Sequence, residues 1–454
     1  MIRTNLFLTL QVMMLTLHLF ADKPPIKFGN VSREELEMTV YEPDSSAAAV
    51  ILCDYGYFNA LNYTFTQVTR IKILKKEGYV YADRVFPPYA TPYVRGITFN
   101  LENGEVSESK LKAESIFTER IYEKIERIRI TMPNVKVGSV IDIEFTHNSL
   151  PAKWRFQQNI PVKWSELVME NSLYVSYTRN LFGFYPLKLQ ESNHWIGENM
   201  PAFKPEPFIT SPENYLTKIE FDILDVKAGM YYEAVTTSWE DLSDLLYDFT
   251  RFGEPLRNSA YLGRAAKDIL ETAKTDEEKL RMAHEFIKTF KWNKDASLLT
   301  SNSSIAFAFE KKSGNSADVN IALIQLLDKI GFQVEPVLMS TRDNGFLSPA
   351  YPSLNKLNYV IARVKLNDQE LLIDGTEEYA HYNLLPERCL NIFGRTYNDK
   401  TSDVVSLSTS KKDKEMIYYT LTLDDMQQFT GNLNIQRFDY AALDFRIKYH
   451  GFTG

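Results

Sequence analysis

Between residues 127 and 146 the chain alternates polar and apolar side chains. Ile128, Ile130 and Met132 are interleaved with Arg127, Arg129 and Thr131, and Ile141, Ile143 and Phe145 with Asp142, Glu144 and Thr146. A helix cannot use this pattern, because its apolar face recurs every ~3.6 residues. A strand with one buried and one wet face requires it. Pro133-Asn134 and Gly138 punctuate the stretch between the two runs, which predicts a hairpin. Stretches of the same kind lie at residues 37–41, 49–53, 63–74 and 218–224. So many strands, with few helical patterns between residues 26 and 225, predict a β-sandwich.

Near Ser238 the periodicity changes. Residues 239–249 and 260–273 read as helices. Thr275 and Glu278 form a capping box for a third, whose stripe of Leu280, Ala283, Phe286, Ile287 and Phe290 is a core-packing face. Residues 313–318 open a fourth helix. Val319, Leu323, Leu326, Leu327 and Ile330 form its apolar face, and Gly331 ends it. Strands follow at 333–340, 358–366 and 370–374, with turns at Asn344-Gly345 and Asn367-Asp368. A helix followed by an antiparallel meander is an α+β arrangement. After Thr401 strands return at 416–423 and 431–440, and the pattern stops at Gly454 with a β-rich domain begun and not completed. The predicted fold class is therefore multi-domain, β plus α+β: a β-sandwich over 22–230, an α+β domain over 238–400 and the start of a β domain over 401–454.

A chain of 454 residues that is 44% apolar can fill such cores, and an aromatic share of 13% is the opposite of a disordered composition. A net charge of −8 leaves no basic excess for a nucleic-acid backbone, so no nucleic acid is expected as a partner. Two cysteines exclude a disulfide framework or a Cys-rich zinc site. Six histidines contain no HExxH and no paired metal signature, and neither a P-loop nor GxGxxG occurs. No metal and no organic cofactor are expected. Arg3, an apolar run over residues 6–20 and Ala21 before Asp22-Lys23-Pro24-Pro25 have the layout of a cleaved secretory signal over residues 1–21. No cysteine follows that run, which excludes a lipoprotein anchor. No other run approaches ~20 apolar residues, so the mature chain is expected to lack a transmembrane helix and to be exported.

The most informative residues lie between Ser313 and Thr376. Gly314-Asn315-Ser316-Ala317-Asp318 opens a helix, Asn358-Tyr359-Val360 begins a strand, and Asp374-Gly375-Thr376 follows the next strand. In this order they resemble the bacterial transglutaminase-like family, whose pattern is G-[DN]-C-x-D, then N-H-V, then D-x-T. Residues 133–145, 156–164 and 195–221 look like the uncharacterised β-domain that precedes such domains in bacterial envelope proteins. The resemblance covers nearly all of the mature chain. It implies a papain-like fold, a further β domain, and a periplasmic or cell-envelope location.

The departures bear on chemistry. In the family a helix N-terminus lowers the thiol pKa and an imidazole takes the proton. Here Ser316 stands at the Cys position and Tyr359 at the His position, and only the acid, Asp374, matches. A serine needs a general base, and a phenol with a reference pKa of about 10 is a poor one. The resemblance therefore implies a degenerate triad and a pseudoenzyme. Ser316 becomes a residue suited to capping the helix, Tyr359 a hydrogen-bonding aromatic filling the old site, and Asp374 a fold element accepting bonds from backbone or Tyr359. Arg342, Asn344, Tyr351 and Tyr379 flank the same region and are the candidate binding residues. Arg with several Tyr suits peptides or sugars, although a polar loop with aromatic packing is the ordinary reading. Cys389 with His381 is a second nucleophile–base pair on paper, and a Cys53–Cys389 disulfide is permitted by an exported compartment. The expected function is non-catalytic: a binding or scaffold module for a peptide, a polysaccharide or an envelope protein. The alternatives are a peptidase, amidase or acyltransferase using Ser316, and a structural assembly subunit.

Overall fold

The computed structural model describes residues 24–90, 92–122, 125–207, 209–228, 231–234, 238–398 and 402–450. The signal-peptide reading of residues 1–21 lies outside them. The chain forms two compact units. One comprises the chain up to Asn171 together with Tyr185–Lys204, and the other comprises Ser172–Phe184 together with Pro205–Gly454. The division differs from a single boundary near residue 230, because two segments before that point belong with the α+β unit.

In the first unit eight strands form one sheet. In spatial order they are Leu189–Gln190, His194–Met200, Val162–Met169, Ala49–Asn59, Thr64–Ile73, Val140–His147, Tyr93–Glu102 and Glu105–Lys110. Neighbours are antiparallel except Ala49–Asn59 and Val162–Met169, which run parallel. A smaller sheet is centred on Ile125–Thr131, paired with Asp83–Val85, Tyr89–Ala90 and Ile116–Tyr122. The runs at 127–132 and 141–146 are therefore strands but not hairpin partners. Val140–His147 pairs with Thr64–Ile73 and Tyr93–Glu102, whereas Ile125–Thr131 lies in the smaller sheet. Alternation specifies which face a strand buries, not which strand lies beside it. The two sheets touch. Phe86 stacks on Phe145 with ring centroids 4.1 Å apart, and a Cβ at Gly96 would lie 2.6 Å from Met132 Sδ.

Residues 37–41 are not a strand. Arg33–Glu37 is a helical turn whose capping box joins Ser32 Oγ to the Glu35 N–H and the Glu35 carboxylate to the Ser32 N–H. Buried Arg70 holds this turn to the sheet, with its Nε 2.7 Å from Asp142 Oδ1 and its Nη1 3.1 Å from Glu35 Oε1. The predicted strand 218–224 is split into Lys218–Glu220 and Ile223–Ala228.

In the second unit the helices Trp239–Asp248, Gly263–Thr272, Asp276–Lys288 and Ser316–Lys329 build a core against a five-stranded antiparallel sheet. The strand order is Gln369–Ile373, Tyr359–Leu366, Val334–Met339, Phe393–Thr396, Val404–Ser406. Asn367 and Asp368 take left-handed φ values of 48° and 60°, which closes the tight turn between two of these strands. Along Tyr359–Leu366, Val360, Ala362 and Val364 pack with the helices, whereas Tyr359 and Ile361 pack with Cys389 on the opposite face. Ser316–Lys329 is buried from Ser316 to Leu327, which makes it the central helix of the unit. Beyond the sheet, Asp413–Leu423 pairs with Phe429–Phe438 as a largely exposed hairpin. The predicted strand over 431–440 ends early, because Asp439–Tyr449 is a helix. No helix of the described residues is long and apolar enough to cross a membrane.

Candidate functional site

Asn315, not Ser316, caps the central helix. Asn315 Oδ1 accepts the Asp318 N–H at 2.9 Å, and Asp318 Oδ2 accepts the Asn315 N–H at 2.9 Å. Ser316 is the first helical residue and is fully buried. Its Oγ donates to the Ser297 carbonyl at 3.0 Å and accepts the Ser297 N–H at 2.8 Å. Its backbone N–H binds the Asp295 carbonyl at 3.0 Å, which also accepts Trp292 Nε1–H at 2.9 Å. The serine hydroxyl is thus closed onto one residue's backbone, as donor and as acceptor. Ala296, between the two residues that hold Ser316, packs in the cluster containing Tyr359. The segment 295–297 holds Ser316 and packs against the cluster that contains Tyr359. Among the described residues no hydrogen bond joins Ser316 to Tyr359 or Asp374.

Asn320 lies one helical turn below Ser316 on the same face. Its Nδ2 reaches the Val360 carbonyl at 2.8 Å and Asp374 Oδ2 at 3.4 Å, and its Oδ1 accepts the Gly375 N–H at 2.7 Å. One side chain therefore ties the helix to both strand motifs. Asp374 Oδ1 takes the Thr376 N–H at 2.7 Å and the Thr376 hydroxyl at 2.5 Å. Thr376 Oγ1 in turn lies 2.8 Å from the Tyr359 hydroxyl, which donates to it because the threonine proton is already given to Asp374.

The centre of this group is a residue that the sequence reading passed over. Arg388 reaches Tyr359 Oη with Nε at 3.2 Å, Thr376 Oγ1 with Nη2 at 2.5 Å and Glu377 Oε2 with Nη1 at 3.0 Å. Its Nη2 also lies 3.4 Å from Asp374 Oδ1, and its guanidinium carbon sits 4.5 Å from the Trp292 ring centroid. Arg388 thus spans from the indole beside Ser316 to the tyrosine and the acid.

The electrostatics follow from this packing. Burial raises the Tyr359 phenol pKa far above its ordinary value, and the charge of Asp374 adds to that. Burial also opposes the Asp374 carboxylate, but the Arg388 guanidinium and the Thr376 bonds outweigh it and hold its pKa below the usual range. Burial opposes the Arg388 cation too, yet Asp374 and Tyr359 hold the proton on it. The group contains two carboxylates, Asp374 and Glu377, one guanidinium, one neutral phenol and no imidazole.

The other candidates do not share one cavity. Arg342 pairs with Glu387 at 2.8 Å and lines a cavity of about 450 Å3 with Arg388, Glu377 and Asp413. Asn344 holds its own turn, with Nδ2 3.0 Å from the Lys356 carbonyl. Tyr351 lines a separate cavity of about 250 Å3 with Asp222 and Lys356. Tyr379 packs at a tilt against His450, with ring centroids 4.5 Å apart. Cys389 and His381 do not pair. Cys389 is fully buried and lies 3.6 Å from Asp374 Oδ2, while exposed His381 bonds to Asn383 Oδ1 at 2.9 Å. Burial first and Asp374 second raise the Cys389 thiol pKa well above the usual value, so it is inert. Cys53 and Cys389 are both free thiols. Trp292, Asn320 and Arg388 carried no motif signal. Only the D-G-T motif pointed toward their neighbour Thr376.

No protein-family model matches the chain, and no curated protein sequence does. Solved structures do. A "putative protease" from Parabacteroides distasonis superposes with a TM-score of 0.56 at 11% identity, covering 80% of this chain and 72% of that one. A "putative cysteine protease" from Cytophaga hutchinsonii matches over 83% of this chain and 91% of that one, at 8% identity and a TM-score of 0.23. The first of these likenesses shows a shared fold.

Proposed function

We propose that the second unit is a transglutaminase-like, papain-like domain that carries out no thiol or serine chemistry. It serves instead as a binding or scaffold module, for a peptide, polysaccharide or partner protein, in an exported protein of the periplasm or cell envelope. The observation that carries the reading is Arg388. Where the family resemblance calls for an imidazole between nucleophile and acid, a permanently charged guanidinium stacks on Trp292 and binds Tyr359, Thr376 and Glu377. A guanidinium cannot take a proton from a hydroxyl. Tyr359 already has its charge-bearing form suppressed, and Ser316 has spent both roles of its hydroxyl on Ser297. A nucleophile needs a base within about 3 Å and an open approach, and this serine has neither.

What remains accessible is the cavity of about 450 Å3 over Arg388, which offers Arg342 and Arg388 beside Glu377, Glu387, Asp413 and Asp444. Mixed charges on an open wall suit a polar chain better than a small apolar ligand. A peptide is the first candidate, because the fold is shared with a "putative protease". The test compares the protein with Ser316→Ala against a serine-directed fluorophosphonate and a panel of peptide, amide and ester substrates. The expected result is no labelling and no turnover in either. Turnover lost on Ser316→Ala would establish the hydrolase or acyltransferase reading instead. A peptide-array screen with Arg342→Ala as the control addresses binding, and array signals unchanged in that variant would remove the cavity from the proposal. Fusing residues 1–30 to a reporter active only after export tests the location.

A further inference from the structure

The first unit holds a cavity of about 340 Å3 whose lining includes Arg84, Lys153, Arg155 and Asp54. Lys153 and Arg155 have partners of their own. His147 also lines it, but burial pushes that imidazole down to about 4, so it is neutral at physiological pH. The carboxylate is occupied by neutral partners. Asp54 Oδ1 accepts Gln67 Nε2–H and Thr69 Oγ1–H, both at 2.8 Å, and Oδ2 accepts Gln158 Nε2–H at 3.2 Å. Arg84 is left over. Among the described residues its guanidinium makes no hydrogen bond and no ion pair, and its one close ring is Phe86, 5.9 Å from the guanidinium carbon. Burial lowers its pKa, and Asp54 offsets this only in part. The five N–H donors of that guanidinium are open to an acceptor from outside the protein.

The walls are aromatic. Phe86 stacks on Phe145, and Phe65 meets Trp154 edge-on at 6.1 Å. A planar fork of donors and aromatic side chains in one lining select a molecule with a planar oxyanion on an apolar body. The volume limits that body to roughly the size of one ring with a short chain. We propose that this cavity binds a small carboxylic acid with an aromatic or aliphatic body, its carboxylate seated on Arg84.

Calorimetric titration of the full chain tests this with phenylacetate, its neutral counterpart phenylacetamide, inorganic phosphate and the peptide acetyl-alanyl-phenylalanine. Saturable binding of phenylacetate or of the peptide, at least tenfold stronger than that of phenylacetamide, is expected. Tighter binding of the peptide would identify a chain terminus as the source of the carboxylate, and tighter binding of phenylacetate a free acid. Arg84→Met should weaken the preferred carboxylate at least tenfold while circular dichroism stays unchanged. Should that variant not fold, Arg84→Lys keeps the charge and removes the fork, and a several-fold loss is expected. The proposal is overturned if no carboxylate saturates, if phosphate binds more tightly than both carboxylates, if the amide binds as well as the acid, or if affinity survives in the folded variant.

Discussion

Arg388 in the second unit and Arg84 in the first each line a cavity, and they differ in what meets the guanidinium there. Arg388 has acceptors on every nitrogen and an indole beneath it. Arg84 has one distant ring. Burial opposes both charges, yet Arg388 holds its proton more tightly than usual and Arg84 less tightly. Surrounding acceptors therefore separate an arginine that is part of the fold from one that lacks its complement. The resemblance to a catalytic family drew attention to the first cavity. The physical chemistry of the unmet donor draws it to the second.

The contrast is sharpest under mutation. Asp374→Ala removes the acceptor of the Thr376 N–H and hydroxyl and one of the two carboxylates beside Arg388, and urea unfolding of the second unit should show a loss of about 2–3 kcal/mol. A loss below ~1 kcal/mol would mean that the Arg388 network is not a structural element. Acid should weaken both units alike. His147 in one and His284 in the other are both depressed to about 4 from 6.5, chiefly by burial. The unfolded chain then binds more protons between those values. Each unit should lose up to about 3 kcal/mol as pH falls from 6.5 toward 4, with none of this term above 6.5. Unfolding midpoints measured across that window check it, and a flat profile would break the parallel. Ser316→Ala removes a hydroxyl bound twice to Ser297 and should cost about 1–2 kcal/mol, read by thermal unfolding. Arg84→Met should change stability by less than ~1 kcal/mol, because the guanidinium makes no hydrogen bond among the described residues and Asp54 keeps its three hydrogen bonds to Gln67, Thr69 and Gln158. A loss comparable to that of Asp374→Ala would show that Arg84 is a structural element after all.

Strand and helix types were largely legible because each rests on local periodicity. The runs at 127–132 and 141–146 are strands, and the helix opening at residue 316 and ending before Gly331 is where its pattern places it. Pairing was not legible, because Val140–His147 finds partners far along the chain. The misread strand at 37–41 hid a readable signal, since Ser32 and Glu35 have capping-box spacing. The three short motifs land at a helix start, a strand start and a turn, as frame matching implies. Their functional neighbourhood did not follow from them. Arg388 comes from the short 3-10 turn Glu387–Cys389 and Trp292 from a two-residue strand, and nothing in their local sequence announces that they will stack. Arg342, Asn344, Tyr351 and Tyr379 show the converse. Closeness in sequence did not place them on one wall.

The interleaving of the two units along the chain has a consequence for their biogenesis. Val162–Met169 pairs with His194–Met200, so the first unit's sheet lacks a neighbour until the ribosome has passed Met200. By then Ser172–Phe184, which belongs to the second unit, has already emerged. It must wait for the remainder of its unit, which begins at Pro205. A gene fragment ending at Asn171 would leave Val162–Met169 as an open sheet edge, a template for aggregation. One beginning at Pro205 would lack Asn180–Phe182, the strand that pairs with Lys218–Glu220. Neither unit can be excised by a single cut, and chain order alone makes synthesis of the two a coordinated event.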